Sequence, residues 1–170
     1  TRNERVKAYI PGRFSVYNSL AAISVATELG CNAETIKEAL LEVRVPGRSE
    51  LVENKKELTI MIDYAHSPGS LESILTAVKA YTRGRLISVF GCGGDRDSTK
   101  RPIMGEISGR IADFTIITSD NPRFEEPMEI ITEIESGLLE ASKNYVLVQD
   151  RKDGIEYALN YAKDGDIILI

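Results

Sequence analysis

Apolar residues along this chain fall into two registers, and the register changes once. Val16, Leu20, Ile23 and Ala26 recur three or four positions apart until Gly30 stops the run. A second run, opened by Asn32 or Ala33-Glu34, places Ile36, Ala39, Leu40 and Val43 on one stripe. That spacing predicts two short helices forming a hairpin. Pro46-Gly47 then breaks the pattern and marks a candidate domain boundary, as Pro11-Gly12 marks an earlier turn. Residues 1–10 predict no element.

Beyond the break, Ser49–Val52 and Glu57–Asp63 read as strands joined by the polar turn Glu53-Asn54-Lys55-Lys56, a hairpin. Unbroken apolar runs then alternate with helical stripes. The runs are Leu86–Phe90, Phe114–Thr118, Tyr145–Val148 and Ile167–Ile170. The stripes are Leu71, Ile74, Leu75, Val78 and Tyr81; Ile103, Ile107 and Ile111, with Pro102 in the first turn; Ile131, Ile134, Leu138 and Leu139, in a helix starting near Pro127; and Ile155, Ala158, Leu159 and Ala162. Continuous apolar strands separated by helices predict an α/β fold, a Rossmann-like and mostly parallel sheet with helices on both faces.

Composition narrows the chemistry. At 170 residues and 42% hydrophobic, the chain can bury one sizeable core. Its net charge of −5 argues against nucleic acid as the main partner, so the basic cluster of Arg96, Lys100, Arg101 and Arg123 favours a small anionic ligand. Cys31 and Cys92 are far apart, which gives no disulfide framework and no zinc site, and points to reduced thiols in the cytoplasm. One histidine rules out a His-rich metal site. No apolar run approaches the roughly 20 residues of a membrane span.

In a parallel sheet the loops after successive strands share one edge, where such folds bind ligands. The first is Asp63-Tyr64-Ala65-His66-Ser67-Pro68. Asp63 suits a ribose hydroxyl, and Ser67 either caps the next helix or frames an anion site at its N-terminus. The second is Gly91-Cys92-Gly93-Gly94-Asp95-Arg96-Asp97. Its glycines admit a ligand to the backbone, and Asp95 and Asp97 are placed to hold the Arg96 guanidinium. Its spacing fits neither a dinucleotide fingerprint nor a phosphate loop. The third is Asp120-Asn121-Pro122-Arg123. Arg123 offers a planar fork to a carboxylate, Asn121 donates and accepts, and Pro122 stiffens the turn between them. A capped turn is the alternative reading of that tetrapeptide. Arg48, at the junction of the two registers, can reach a phosphate or remain a solvated surface cation. Cys92 has no base partner beyond His66 on another loop, a weak case for a nucleophile.

Together these motifs resemble the Mur ligases. Tyr64-Ala65-His66-Ser67-Pro68, Gly91 to Asp97 with Lys100-Arg101-Pro102, and Thr118-Ser119-Asp120-Asn121-Pro122-Arg123 stand in that family's order and spacing over nearly the whole chain. The resemblance implies that residues 1–44 are the last helices of the central ATP-binding domain. Residues 45–170 would be the C-terminal Rossmann-like domain, truncated at its end. In Gly12-Arg13-Phe14-Ser15-Val16-Tyr17-Asn18, Asn18 matches an adenine contact, although the family often has Asn where Ser15 stands. Arg48 and Asp63 would lie on the phosphate and ribose side of ATP, with His66 and Ser67 near the nucleotide. Asp120, Asn121, Arg123 and Arg96 would hold the incoming amino acid.

The Asp-Asn-Pro-Arg form is associated with family members that add meso-diaminopimelate to UDP-N-acetylmuramoyl-L-alanyl-D-glutamate in peptidoglycan synthesis. A buried Arg123 would then select against lysine by a factor on the order of 10²–10⁴. The family's phosphate loop, and the carboxylated lysine that helps place magnesium, would precede residue 1. A Gly-Lys-Gly-His-Glu segment would follow residue 170. The resemblance thus implies a fragment without activity of its own. Lysine-adding, cyanophycin and folylpolyglutamate-type ligases, or a non-catalytic nucleotide or amino-acid binding module, are the competing readings.

Overall fold

The computed structural model describes residues 5–7 and 12–170, the Arg13 side chain excepted. Pro11 of the expected Pro11-Gly12 turn lies outside the described residues. Two helices come first, α1 (Arg13–Glu28) and α2 (Ala33–Glu42). Asn32 starts α2 by accepting the Thr35 N–H at 2.9 Å, the cap its side chain is suited to give. A hairpin follows, β1 (Glu50–Val52) and β2 (Thr59–Ile62), paired antiparallel. Then come α3 (Pro68–Lys79), β3 (Leu86–Phe90), α4 (Lys100–Ile111), β4 (Phe114–Thr118), α5 (Pro127–Ala141), β5 (Tyr145–Val148), α6 (Arg151–Tyr161) and β6 (Ile167–Leu169).

The strand order is β1-β2-β6-β3-β4-β5, and every pairing except β1 with β2 is parallel. Side chains alternate across the strands into two cores. Met61, Leu86, Phe90, Ile117, Ile167 and Leu169 pack beneath α3, α4 and α5. Leu58, Ile60, Ile87, Val89, Ile116 and Ile168 face α6. Both faces of the sheet are therefore covered, which is why its central strands are apolar throughout.

The expected stripes of α4 and α5 bury Ile107, Ile131, Ile134 and Leu138, but Ile103 and Leu139, expected on the same faces, are 46% and 42% exposed. Between α4 and α5 the backbones touch instead. A Cβ on Gly105 would collide with Ile134 O, and one on Gly137 with Pro102 O. The buried face of α4 is therefore Arg101, Met104, Gly105, Ile107, Ser108 and Gly109, centred on small residues that bring the helices close. A search for large apolar side chains passes over such a face.

At the opposite edge of the sheet from the loops that follow the strands, Asp166 is buried just before β6. It accepts the Arg85 N–H at 2.7 Å, the Arg85 Nη2 at 2.6 Å and the Lys163 N–H at 2.9 Å. The Arg85 guanidinium lies over the Tyr161 ring, 4.5 Å from its centroid. This pair ties β3 and β6 to the end of α6.

The helical hairpin differs from the rest. No residue of α2 is buried. Val16, Tyr17, Leu20, Val25, Leu29 and Leu41 are all about half exposed or more. Among the described residues no helix is long and apolar enough to cross a membrane.

Candidate functional site

Two loops after parallel strands are joined into one platform. The glycine loop leaves β3 and the Asp120-Asn121-Pro122-Arg123 turn leaves β4, adjacent strands in register. Gly94 N–H donates to Asn121 O at 2.9 Å. Arg123 Nη1 donates back to Gly94 O at 2.7 Å and to Asn121 O at 3.4 Å. Only glycine fits at position 94, because a Cβ there would overlap Pro122 O. Asp95 and Arg123 both hold φ near +50° (52° each), the left-handed region that side chains rarely enter. Each such residue costs of order 1 kcal/mol and persists because its surroundings fix it.

A buried guanidinium fixes them. Arg101 is 1% exposed and forks onto Glu125, with Nη1 2.8 Å from Oε2 and Nη2 2.8 Å from Oε1. Arg101 Nη1 also reaches Glu133 at 3.1 Å. The Asp95 N–H donates to Glu125 Oε1, and the Phe124 N–H to Asp95 Oδ2 at 3.3 Å. The Arg101 hydrogen bond and then the Asp95 N–H hold the Glu125 carboxyl below its ordinary range. Asp97 is likewise lowered, by the Thr99 hydroxyl and N–H.

This arrangement corrects two expectations. Asp95 and Asp97 do not hold Arg96: they accept from Phe124 and Thr99, and Arg96 is exposed with no hydrogen bond or ion pair among the described residues. Arg123 is not buried either. Its Nη1 is anchored while Nε and Nη2 have no bond among the described residues, so part of the fork is free for a ligand. Asp120 and Asn121 are exposed on the same turn.

A second feature lies between the hairpin and the sheet. A cavity of about 830 Å³ is lined by Asn18, Phe14, Leu40, Val43, Arg48 and Asp63, among others. Three of the five residues proposed for nucleotide contact, Asn18, Arg48 and Asp63, thus meet across one apolar-walled space. Asp63 Oδ2 accepts the Ser49 N–H at 2.9 Å and its hydroxyl at 3.3 Å. The Arg48 guanidinium stacks on Tyr64, 4.5 Å from the ring centroid.

The other two are elsewhere. Ser67 is consumed in a capping box with Ser70 at the start of α3, and neither Ser67 nor His66 lines the cavity. His66 Nδ1 lies 2.9 Å from Tyr64 O, and the His66 carbonyl accepts from Lys100 Nζ at 2.8 Å. Ser70 and Ser73 line the cavity instead. Their i, i+3 spacing on the first turns of α3 was the available signal. Cys92 is buried and its thiol is pushed up to about 11 by that burial, which suits packing and not nucleophilic attack.

The family described as Mur ligase, glutamate ligase domain, matches residues 47–170. The chain belongs to the Mur ligase family. It is 50% identical over 169 residues to the UDP-N-acetylmuramoyl-L-alanyl-D-glutamate--2,6-diaminopimelate ligase of Caldanaerobacter subterraneus subsp. tengcongensis, covering 99% of this chain and 35% of that protein. To the like-named ligase of Clostridium perfringens it is 51% identical over 169 residues, 98% of this chain and 34% of the relative. A solved structure of a ligase with that name aligns at TM-score 0.69 and 33% identity over 97% of this chain and 34% of its own. A pseudomurein peptide ligase type C from Methanothermus fervidus aligns at TM-score 0.76 and 27% identity over the whole chain and 35% of its own length. This Mur ligase chain therefore spans about a third of the length of the curated relatives it matches.

The cavity joins apolar walls to the polar side chains of Asn18, Arg48 and Asp63, a lining that could hold a nucleotide. No group of three or more His, Cys, Asp or Glu that could hold a metal ion exists among the described residues.

Proposed function

We propose that this chain is the amino-acid-delivering part of an ATP-dependent ligase that adds meso-diaminopimelate to UDP-N-acetylmuramoyl-L-alanyl-D-glutamate in the cytoplasm. The observation that carries the reading is the bolted pair of loops after β3 and β4, which presents Arg96, Asn121 and the free side of the Arg123 fork at one edge of the sheet. A bidentate Arg–carboxylate contact suits the second carboxylate of meso-diaminopimelate. Lysine carries an ammonium at that end, which a guanidinium repels. Asp120, beside them, is available to the ammonium of the same amino acid.

The reaction joins an amine to a carboxylate. Phosphorylation of the D-glutamate carboxylate by ATP gives an acyl phosphate, the amine attacks its carbonyl, and phosphate leaves. The contribution of this chain is positioning and exclusion of water. Asn18, Arg48 and Asp63 would take the nucleotide between α1 and the start of the sheet. Magnesium would be held by residues outside this chain. Residues 1–44 would be the end of the ATP-binding domain, and the exposed apolar faces of α1 and α2 fit a pair of helices that belongs to another core. Incubating the full-length gene product with the UDP-linked dipeptide, ATP and meso-diaminopimelate tests the reading. Release of phosphate with a product heavier by one diaminopimelate residue supports it, and phosphate release without ligation refutes it.

A further inference from the structure

We propose that Arg101 is a positioning residue for amino-acid binding, acting through Glu125 to hold both substrate loops in the conformation that presents Arg96, Asn121 and Arg123. The proposal rests on the reading of those three residues as the amino-acid site.

Arg101 lies in the first turn of α4, beneath the platform, and is 1% exposed. A buried guanidinium is costly unless it is paired in good geometry. Both its terminal nitrogens meet Glu125, which belongs to the loop that carries Arg123, while Nη1 also meets Glu133 at 3.1 Å and Nη2 lies 3.5 Å from Gly93 O. Glu125 in turn accepts the Asp95 N–H, from the loop that carries Arg96. The Glu125 N–H closes the turn by donating to Pro122 O at 3.0 Å. One carboxylate thus receives a bond from the helix below and another from the neighbouring loop.

The two residues it restrains, Asp95 and Arg123, are two of the three described non-glycine residues in the left-handed region (φ 52° each), the third being Ser49 (φ 46°). Without the Glu125 link, each would relax toward ordinary backbone angles, and the Arg123 side chain would turn away from Gly94 O. Among the described residues Arg101 Nε is buried without a hydrogen-bond partner, a cost that the arrangement tolerates. The arrangement keeps the fork on Glu125 at the expense of that nitrogen. Glu133 adds a second carboxylate on the α5 side, so that α4, α5 and both loops meet at this one cation.

The test is steady-state kinetics on the full-length enzyme carrying Glu125→Gln, Arg101→Lys or Arg101→Met, with thermal unfolding of each variant. Glu125→Gln keeps the shape of the side chain and weakens both links. It is expected to raise KM for meso-diaminopimelate about tenfold or more, the change expected from losing one charge-assisted hydrogen bond. KM for ATP and for the UDP-linked dipeptide should stay within about twofold. Arg101→Lys, which keeps the charge and loses the fork, should fall between wild type and Arg101→Met. Should Arg101→Met not fold, Glu125→Gln against Arg101→Lys decides the matter.

An unchanged KM for the amino acid in Glu125→Gln overturns the proposal, as does a parallel rise in all three KM values. Arg123→Ala, measured alongside, separates the two failures. If it raises the amino-acid KM while Glu125→Gln does not, the positioning role alone is wrong. If neither variant moves that KM, the site reading and the positioning role both fall.

Discussion

Replacing Gly105 by alanine adds one methyl group where α4 meets α5 backbone to backbone. The new Cβ would lie well inside the 3.0 Å limit of real Cβ contacts, against Ile134 O, with Leu138 N 3.1 Å away. No side-chain rotation relieves this, since the obstacle is a helix backbone; α4 and α5 must separate. Overpacking of this kind costs about 1–3 kcal/mol, and a backbone obstacle belongs at the upper end. Alanine recovers up to about 1 kcal/mol of helix propensity. The net loss is about 2 kcal/mol. For a chain of this size that lowers Tm by about 4–8 °C. Gly69 on α3 is the matched control, because nothing lies within 4 Å of its Cβ position. Gly69→Ala should leave Tm unchanged or raise it by a few degrees, about 0.4–1 kcal/mol of stabilisation. Differential scanning calorimetry of the three proteins at one scan rate reads both values. A Gly105→Ala variant as stable as wild type would refute the claim that α4 and α5 are held at backbone contact.

Three further outcomes follow from other parts of the molecule. Burial alone would raise the Asp166 carboxyl, but Arg85 and the N–H groups of Lys163 and Arg85 outweigh it and hold it below its ordinary value. Its contribution is thus full above the unfolded carboxylate pKa of about 3.9 and is lost as pH falls through the folded value. Asp166→Asn should cost about 3 kcal/mol at pH 7 and flatten the acid limb of a urea-midpoint profile, and an unaltered limb would remove Asp166 from the account. In the native protein a soluble alkylating reagent should modify exposed Cys31 and spare buried Cys92, with both reacting in guanidinium; mass spectrometry counts the adducts, and native labelling of Cys92 would contradict its burial. The 170-residue chain by itself should neither ligate nor hydrolyse ATP, because its sequence has no GxxxxGK[ST] loop to cradle the phosphates; turnover above background by the purified chain would end that argument.

The sheet was legible because parallel strands buried on both faces read as unbroken apolar runs, and Leu86–Phe90 and Phe114–Thr118 have the bounds the pattern predicts. The antiparallel hairpin was legible from its polar turn. What escaped was what small and charged residues do inside. Ile103 heads the stripe of Ile103, Ile107 and Ile111 but is exposed, because the contact surface of α4 is built on Gly105 and Gly109, whose lack of a side chain leaves no hydropathy signal. Arg101 reads in sequence as part of a basic cluster for a small anionic ligand, but it is buried and spent on Glu125 and Glu133, which only the three-dimensional meeting reveals. Asp95 and Asp97 flank Arg96 in sequence, yet their carboxylates serve the local turns, because nearby N–H groups compete better than an exposed guanidinium. Asn18, Arg48 and Asp63, which the family resemblance places near the nucleotide, stand in three separate segments and line one cavity.

The central claim is that Arg123 reads the distal carboxylate of the incoming amino acid, and amino-acid selectivity in the full-length enzyme tests it most directly. Because Arg123 is exposed and partly anchored, its free fork is worth about 1.5–3 kcal/mol, or about 10- to 100-fold in kcat/KM. That replaces the larger factor expected of a buried arginine. Wild type and Arg123→Ala would be assayed with the UDP-linked dipeptide, ATP and either meso-diaminopimelate or L-lysine. The account predicts turnover with meso-diaminopimelate that falls about 10- to 100-fold in the variant, with lysine a poor substrate for wild type. Equal use of lysine, or a variant whose kcat/KM for meso-diaminopimelate is unchanged, would contradict it and leave Asp120 to Arg123 as a structural turn.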